Sequence, residues 1–239
     1  GEDHDVTRIE VKGQFPRTGS NQFIGREVVS YAAERDLVPD GGAPLTMGID
    51  VARFGDDESV FRFRRGRDAR TIKPMRFRGK NTMDLATEAA TAIERLKPDA
   101  VFVDGGGVGG GVVDRLKMLG YRVIEVQSGE KARDEEKYLN RRAEMWGEMR
   151  DWLSIGCIEN DQTLIDDLAG PEYDVTLKGQ IKLETKEQML KRGLPSPDSA
   201  DALGLTFAEK IARTDSAANT RLHRLQGRVA ETDYDVFST

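Results

Sequence analysis

Asp50 closes the apolar run LTMGID, Asp104 closes AVFVD, and Asp198 and Asp201 stand three residues apart in SPDSADAL. The first two runs read as strands and the third as a helix start, so one sheet edge can gather all four carboxylates. Crowded, unpaired carboxylates repel one another and hold protons unless a cation neutralises them. Cys157 is the single cysteine and His4 and His223 the only histidines, which excludes an intramolecular disulfide and argues against a Cys/His zinc centre. Any bound ion therefore takes oxygen ligands, which suits Mg2+ or Mn2+. Two such ions about 4 Å apart can cleave a phosphodiester. Singly, each residue has a plain structural reading: a turn aspartate after a strand, or an acid that caps a helix and complements its dipole. The combination carries the expectation that Asp50, Asp104, Asp198 and Asp201 are catalytic and metal-binding.

The elements that must position them follow from periodicity. Strands are predicted over 45–52, 60–64 and 69–77, joined by the turn RFGDDES and a tight turn at 65–68. Asn81 is placed to cap a helix running to Leu96, and Pro98 and Asp99 stop it before a buried strand over 100–104. A Gly-rich loop leads to a helix over 110–119, closed by Gly120, and a strand over 121–126. Helices are predicted over 135–153, 161–168 and 195–212, with a hairpin over 173–184 turning at Lys178 and Gly179. A meander of antiparallel strands running into parallel βα units makes a mixed α/β sheet flanked by helices. Residues 1–44, including a short helix in IGREVVSYAAERDLV, read as a lead-in, 45–212 as the main domain, and 213–239 as a polar, flexible tail.

Net charge is −6, so the molecule as a whole does not advertise nucleic-acid binding. The charge is uneven, however: residues 62–80 hold nine Lys/Arg against the single acid Asp68. Arg62 and Arg64 alternate with Phe61 and Phe63, which puts both on one face, where they are expected to contact phosphates without reading bases; a merely solvated face is the alternative. Lys182, Lys186, Lys191 and Arg192 form a second expected DNA contact. The run Gly105–Gly111 lacks the Gly-Lys-Ser/Thr ending of a P-loop and does not follow the first strand, which argues against nucleotide binding. No apolar run approaches the ~18 residues of a membrane span, and Cys157 in SIGCIEN reads as buried and inert.

Three blocks in order, GIDVARFGDD, VDGGGVGGGVVDRL and IKLETKEQMLKRGLPSPDSADAL, resemble the nuclease domain of tailed-phage large terminases. The opening GEDHDVTRIEVKGQFP resembles the stretch joining that family's motor to its nuclease. The resemblance implies an RNase H-like fold, with the hairpin as an extra β element beside the active site. It also implies two-metal-ion endonucleolytic cutting of concatemeric double-stranded DNA during genome packaging in the host cytoplasm. Asp50 and Asp104 match the first two metal-binding carboxylates, and the third comes from Asp198 or Asp201. Double-stranded DNA, a portal protein and a small terminase subunit are the implied partners. No Walker A motif occurs, so the chain is expected to cut but not translocate, as an excised domain or natural fragment. A RuvC-like junction resolvase and a non-catalytic module that docks DNA or the portal are the alternatives.

Overall fold

The computed structural model describes residues 21–37, 41–52 and 58–212. Most of the expected turn RFGDDES (residues 53–57), the first twenty residues and the tail from 213 lie outside the described residues.

Nine strands and seven helices are present among the described residues. The strands are β1 (Leu45–Asp50), β2 (Ser59–Arg65), β3 (Asp68–Ala69), β4 (Met75–Phe77), β5 (Ala100–Asp104), β6 (Ile124–Val126), β7 (Cys157–Ile158), β8 (Tyr173–Val175) and β9 (Ile181–Leu183). The helices are α1 (Arg26–Glu34), α2 (Thr82–Leu96), α3 (Gly109–Met118), α4 (Arg141–Leu153), α5 (Gln162–Ala169), α6 (Lys186–Lys191) and α7 (Asp198–Leu205). The main sheet runs β6-β5-β1-β2-β3-β7, with β4 also on β2. The β1/β2, β2/β3 and β2/β4 pairs are antiparallel, and the β1/β5, β5/β6 and β3/β7 pairs are parallel. This is the expected mixed α/β sheet, and β8 and β9 form the separate hairpin.

Alternation along β1 decides what each face meets. Leu45, Met47 and Ile49 pack with Phe61, Phe63, Val101 and Val103 against Leu85, Ala89, Val112 and Leu116 of α2 and α3. The opposite face, with Gly48 and Asp50, receives α7. A Cβ on Gly48 would fall 2.0 Å from the Ala202 carbonyl oxygen, so only glycine lets this helix lie so close. Helix α1 is bound to the same body: Phe23, Ile24, Val29, Ala32 and Ala33 share a core with Trp146, Leu164, Leu168 and Leu203.

Several boundaries differ from expectation for physical reasons. The strand expected over 69–77 is split into β3 and β4 by bends ahead of Pro74, a residue with no amide to give a ladder. The helix expected from 135 begins at Arg141, because Asn140 caps it by accepting from the Ala143 amide at 2.9 Å. Tyr138 is buried ahead of it through a bridge to Ile181. The last helix stops at Leu205, where the Thr206 hydroxyl donates back to the Leu203 carbonyl. The strand expected over 121–126 covers only 124–126. Helix α6 was not predicted, although Thr185 and Gln188 form a complete capping box. Strand β7 was also missed; it buries Cys157 as expected of that residue.

Candidate active site

Asp50 ends β1 at 4% exposure, and the first turn of α7 brings Asp198 and Asp201 to it. The Lys186 ammonium on α6 lies among all three: Nζ is 3.3 Å from Asp50 Oδ2, 3.2 Å from Asp198 Oδ1 and 3.4 Å from Asp201 Oδ2. Asp104, at the end of the neighbouring parallel strand, accepts from the Gly106 amide at 3.0 Å and the Ser128 hydroxyl at 3.1 Å. Helix α3 starts against it, since a Cβ on Gly109 would meet the Asp104 carbonyl oxygen at 1.8 Å.

The carboxylates are held differently. Asp201 takes a two-pronged bond from Arg142, Nε at 2.9 Å and Nη2 at 3.3 Å, and a third from Trp146 Nε1 at 2.8 Å. Arg142 also donates to the Glu184 carbonyl at 2.7 Å, tying the end of the hairpin to the site. Asp198 accepts from the Ser196 hydroxyl and from the Glu58 amide at 3.3 Å.

Burial pushes Asp50 up to about 7; Lys186 opposes the rise, and Asp201, Asp198 and Asp104 add to it. Burial would raise Asp201 as well, but Arg142, Lys186 and Trp146 hold it below the ordinary carboxylate value. Burial would lower Lys186, and the ring of Asp50, Asp201 and Asp198 more than reverses this, keeping it charged. Behind α7, burial pushes Asp167 up to about 7 even though it accepts from the Ser199 amide at 3.0 Å. Among the described residues no three His, Cys, Asp or Glu side chains have the spacing of a formed metal cage. An ammonium lies between the carboxylates instead.

The six residues expected at DNA divide sharply. Arg62 is only 2% exposed; it donates to Ser199 Oγ at 2.8 Å and pairs with Glu159 at 2.9 Å. Arg64 donates to the Thr206 hydroxyl at 2.9 Å and carbonyl at 2.6 Å, and its guanidinium lies 4.1 Å over the Phe207 ring. Arg62 presents no surface to phosphate, and Arg64, partly buried, has its guanidinium committed to Thr206 and Phe207. Their face of β2 is the one covered by α7, so alternation placed them together but not in solvent. Arg62 instead pins the first turn of α7. Replacing it with alanine is expected to cost about 3–5 kcal/mol, because the buried Glu159 loses its close cation and keeps only the exposed Lys73 ammonium at 3.9 Å; chemical denaturation measures this, and an unchanged midpoint would remove Arg62 from that role. Lys182 and Lys191 are exposed, Lys186 is central, and Arg192 is tied to Glu184 at 2.6 Å and Glu172 at 3.3 Å.

Sequence reasoning missed Arg142, Ser128, Ser196, Trp146 and Glu58. Arg142 and Trp146 are four apart, so a helix over 135–153 places them on one face and shows nothing more. The sequence signal for α6, and so for the placement of Lys186, was the Thr185…Gln188 capping pattern.

No family model matches the chain. It is 25% identical over 217 residues to the probable large terminase subunit of Enterobacteria phage P7, a match covering 84% of this chain and 44% of that protein. The chain thus spans less than half the length of this relative. The nuclease domain of the large terminase subunit gp2 of bacterial virus Sf6 superposes with a TM-score of 0.68 at 18% identity, covering 79% of this chain and 99% of that domain. The large terminase nuclease of thermophilic phage G20c, in a structure with bound magnesium, gives 0.54 at 17% identity, covering 71% and 83%. The sequence is similar to that of a large terminase subunit, and the fold is that of terminase nuclease domains. No helix among the described residues is long and apolar enough to cross a membrane.

Proposed function

We propose that this chain is the nuclease unit of a phage packaging terminase, a divalent-metal-dependent endonuclease that cuts double-stranded DNA. The observation that carries this is the convergence of Asp50, Asp198 and Asp201 on one cation, with Asp104 on the adjoining strand. The donor set fits Mg2+ or Mn2+: it is all carboxylate oxygen, and it already surrounds a positive charge. In this reading residues 45–212 are the catalytic unit, 1–44 lead into it and 213–239 are a tail. A portal protein and a small terminase subunit would be partners of the longer protein.

Asp50, Asp104 and Asp198 would hold two ions, which when bound polarise the phosphodiester and make water a better nucleophile. Asp198 is the better third ligand. The partners described for Asp198 include a hydroxyl, an amide and the Lys186 ammonium, which exchange readily, whereas Asp201 is committed to the Arg142 fork and to Trp146. Asp201 therefore orients Arg142 and the hairpin end. Lys186, whose side chain is 42% exposed on a short helix, would give up its place to a bound ion, and its charge would then be available to the phosphate.

This division makes the two aspartates separable. Asp198→Asn is expected to abolish Mn2+ binding in titration calorimetry with little change in melting temperature. Asp201→Asn is expected to lower stability by about 3 kcal/mol or more, because it strips the half-buried Arg142 of its counter-charge. The reverse pattern would make Asp201 the ligand.

Nicking and linearisation of supercoiled plasmid with Mg2+, Mn2+ or EDTA tests the activity. Cutting that needs metal supports the reading. Preference for four-way junctions over linear duplex would favour a resolvase, and metal-independent binding without cutting would favour a docking module.

A further inference from the structure

Turning Arg62 and Arg64 inward leaves open which basic groups could hold a duplex beside the carboxylates. A ladder of alternating charge crosses the α7 face of the sheet and leads outward. It runs from Glu159 to Arg62 at 2.9 Å, Arg62 to Asp161 at 3.9 Å, Asp161 to Arg76 at 2.6 Å, Arg76 to Glu58 at 3.5 Å, and Glu58 to Arg78 at 2.7 Å. Arg62 and Glu159 at its inner end are enclosed, and Asp161, Arg76 and Glu58 beyond them are partly exposed but each paired on both sides. Its last member, Arg78, is 72% exposed, and Glu58 engages only its Nε edge.

The geometry points to Arg78 as a phosphate anchor for duplex DNA beside the carboxylates, with Glu58 as the counter-ion that the DNA backbone displaces. The inference rests on the proposal that the substrate is duplex DNA. Register places the anchor: Asp50 pairs with Val60 on β2, and the adjoining Ser59 pairs with Phe77, the residue before Arg78. Arg78 is thus two strand spacings, about 10 Å, from the line of β1. A distance of that order is spanned within a few nucleotides of one duplex strand, so one strand can reach Arg78 while a nearby phosphate lies at Asp50. Glu58 joins the two places, since its amide donates to Asp198 while its carboxylate holds Arg78. An exposed ion pair of this kind contributes little to stability, so a phosphate can exchange for the carboxylate at small cost, and a guanidinium meets a phosphate with two parallel bonds.

The test reads binding apart from cutting. Affinity of the full chain for a short blunt duplex is measured by fluorescence anisotropy across a salt series in Ca2+, with a gel confirming that the duplex stays intact. Arg78→Ala is expected to weaken binding roughly tenfold and to flatten the log K against log salt slope by about 0.9, one phosphate contact. Arg78→Lys should recover most of the slope. Glu58→Gln should bind severalfold tighter than the parent, and that gain should vanish in the Arg78→Ala background, a pattern of opposite signs that a merely structural ion pair does not give. Unchanged affinity and slope in Arg78→Ala would overturn the anchor while metal-dependent plasmid cutting by the parent still stood. Failure of the parent to bind any duplex would overturn both readings together.

Discussion

Asp50→Asn is expected to abolish metal-dependent plasmid cutting while leaving the chain folded. Removing one preorganised electrostatic group from a catalytic centre costs about 10²–10³ in rate. Asp50 is the carboxylate at the end of β1 to which α7 brings Asp198 and Asp201, so the loss should reach or exceed the upper figure. The same substitution carries a second signature. Burial holds the Asp50 carboxyl at about 7 against an ordinary 3.8, with Lys186 opposing the rise. Across that window the folded state keeps a proton that the unfolded state has released, so stability falls as pH rises and the full cost is present above about 7. Asparagine carries no charge to desolvate. In EDTA the variant should therefore melt higher than the parent above pH 7, and the advantage should disappear near the ordinary carboxylate value. Retained cutting removes Asp50 from the chemistry, and a lower melting temperature at alkaline pH contradicts the electrostatic account.

Gly48→Ala is expected to be the most damaging single methyl in the sheet. Its Cβ would fall 2.0 Å from the backbone oxygen of Ala202 and 3.1 Å from the Leu205 Cβ, and neither belongs to a flexible side-chain end. Overpacking a core costs typically 1–3 kcal/mol, and a collision with helix backbone should cost about 3 kcal/mol or more. The helix that must retreat carries Asp198 and Asp201, so the variant should lose cutting in whatever fraction still folds. Guanidinium denaturation beside the plasmid assay checks both. Normal stability would show that α7 does not depend on this close approach.

The strands that end at Asp50 and Asp104 were legible because burial on a sheet writes alternation and apolar runs directly into sequence. The cap at Asn81 and the hairpin turn at Gly179, whose φ is +81°, were legible because each needs a particular residue type. What stayed hidden was long-range pairing. Nothing in the local pattern around Arg62 says that Ser199 and Glu159 will close over it. An alternating arginine reads the same whether a helix or solvent covers its face. Likewise Arg142 looks like the polar rim of a helix stripe until α7 is docked and Asp201 lies within reach of its fork. Helix α6 was passed over because six residues are too few to show a period, although its capping box was present.

The docking of α7 against Gly48 also has a consequence for the order of events during synthesis. Asp50 and Asp104 leave the ribosome first, and the residues that complete the centre follow Asp50 by some 148 positions, counted to Asp198. Domains tend to acquire structure as they emerge, and contacts between distant segments form late. Between Asp104 and Asp198 the nascent sheet carries two acidic strand ends and no third ligand. On the proposed reading, the chain becomes able to cut nucleic acid only when α7 arrives.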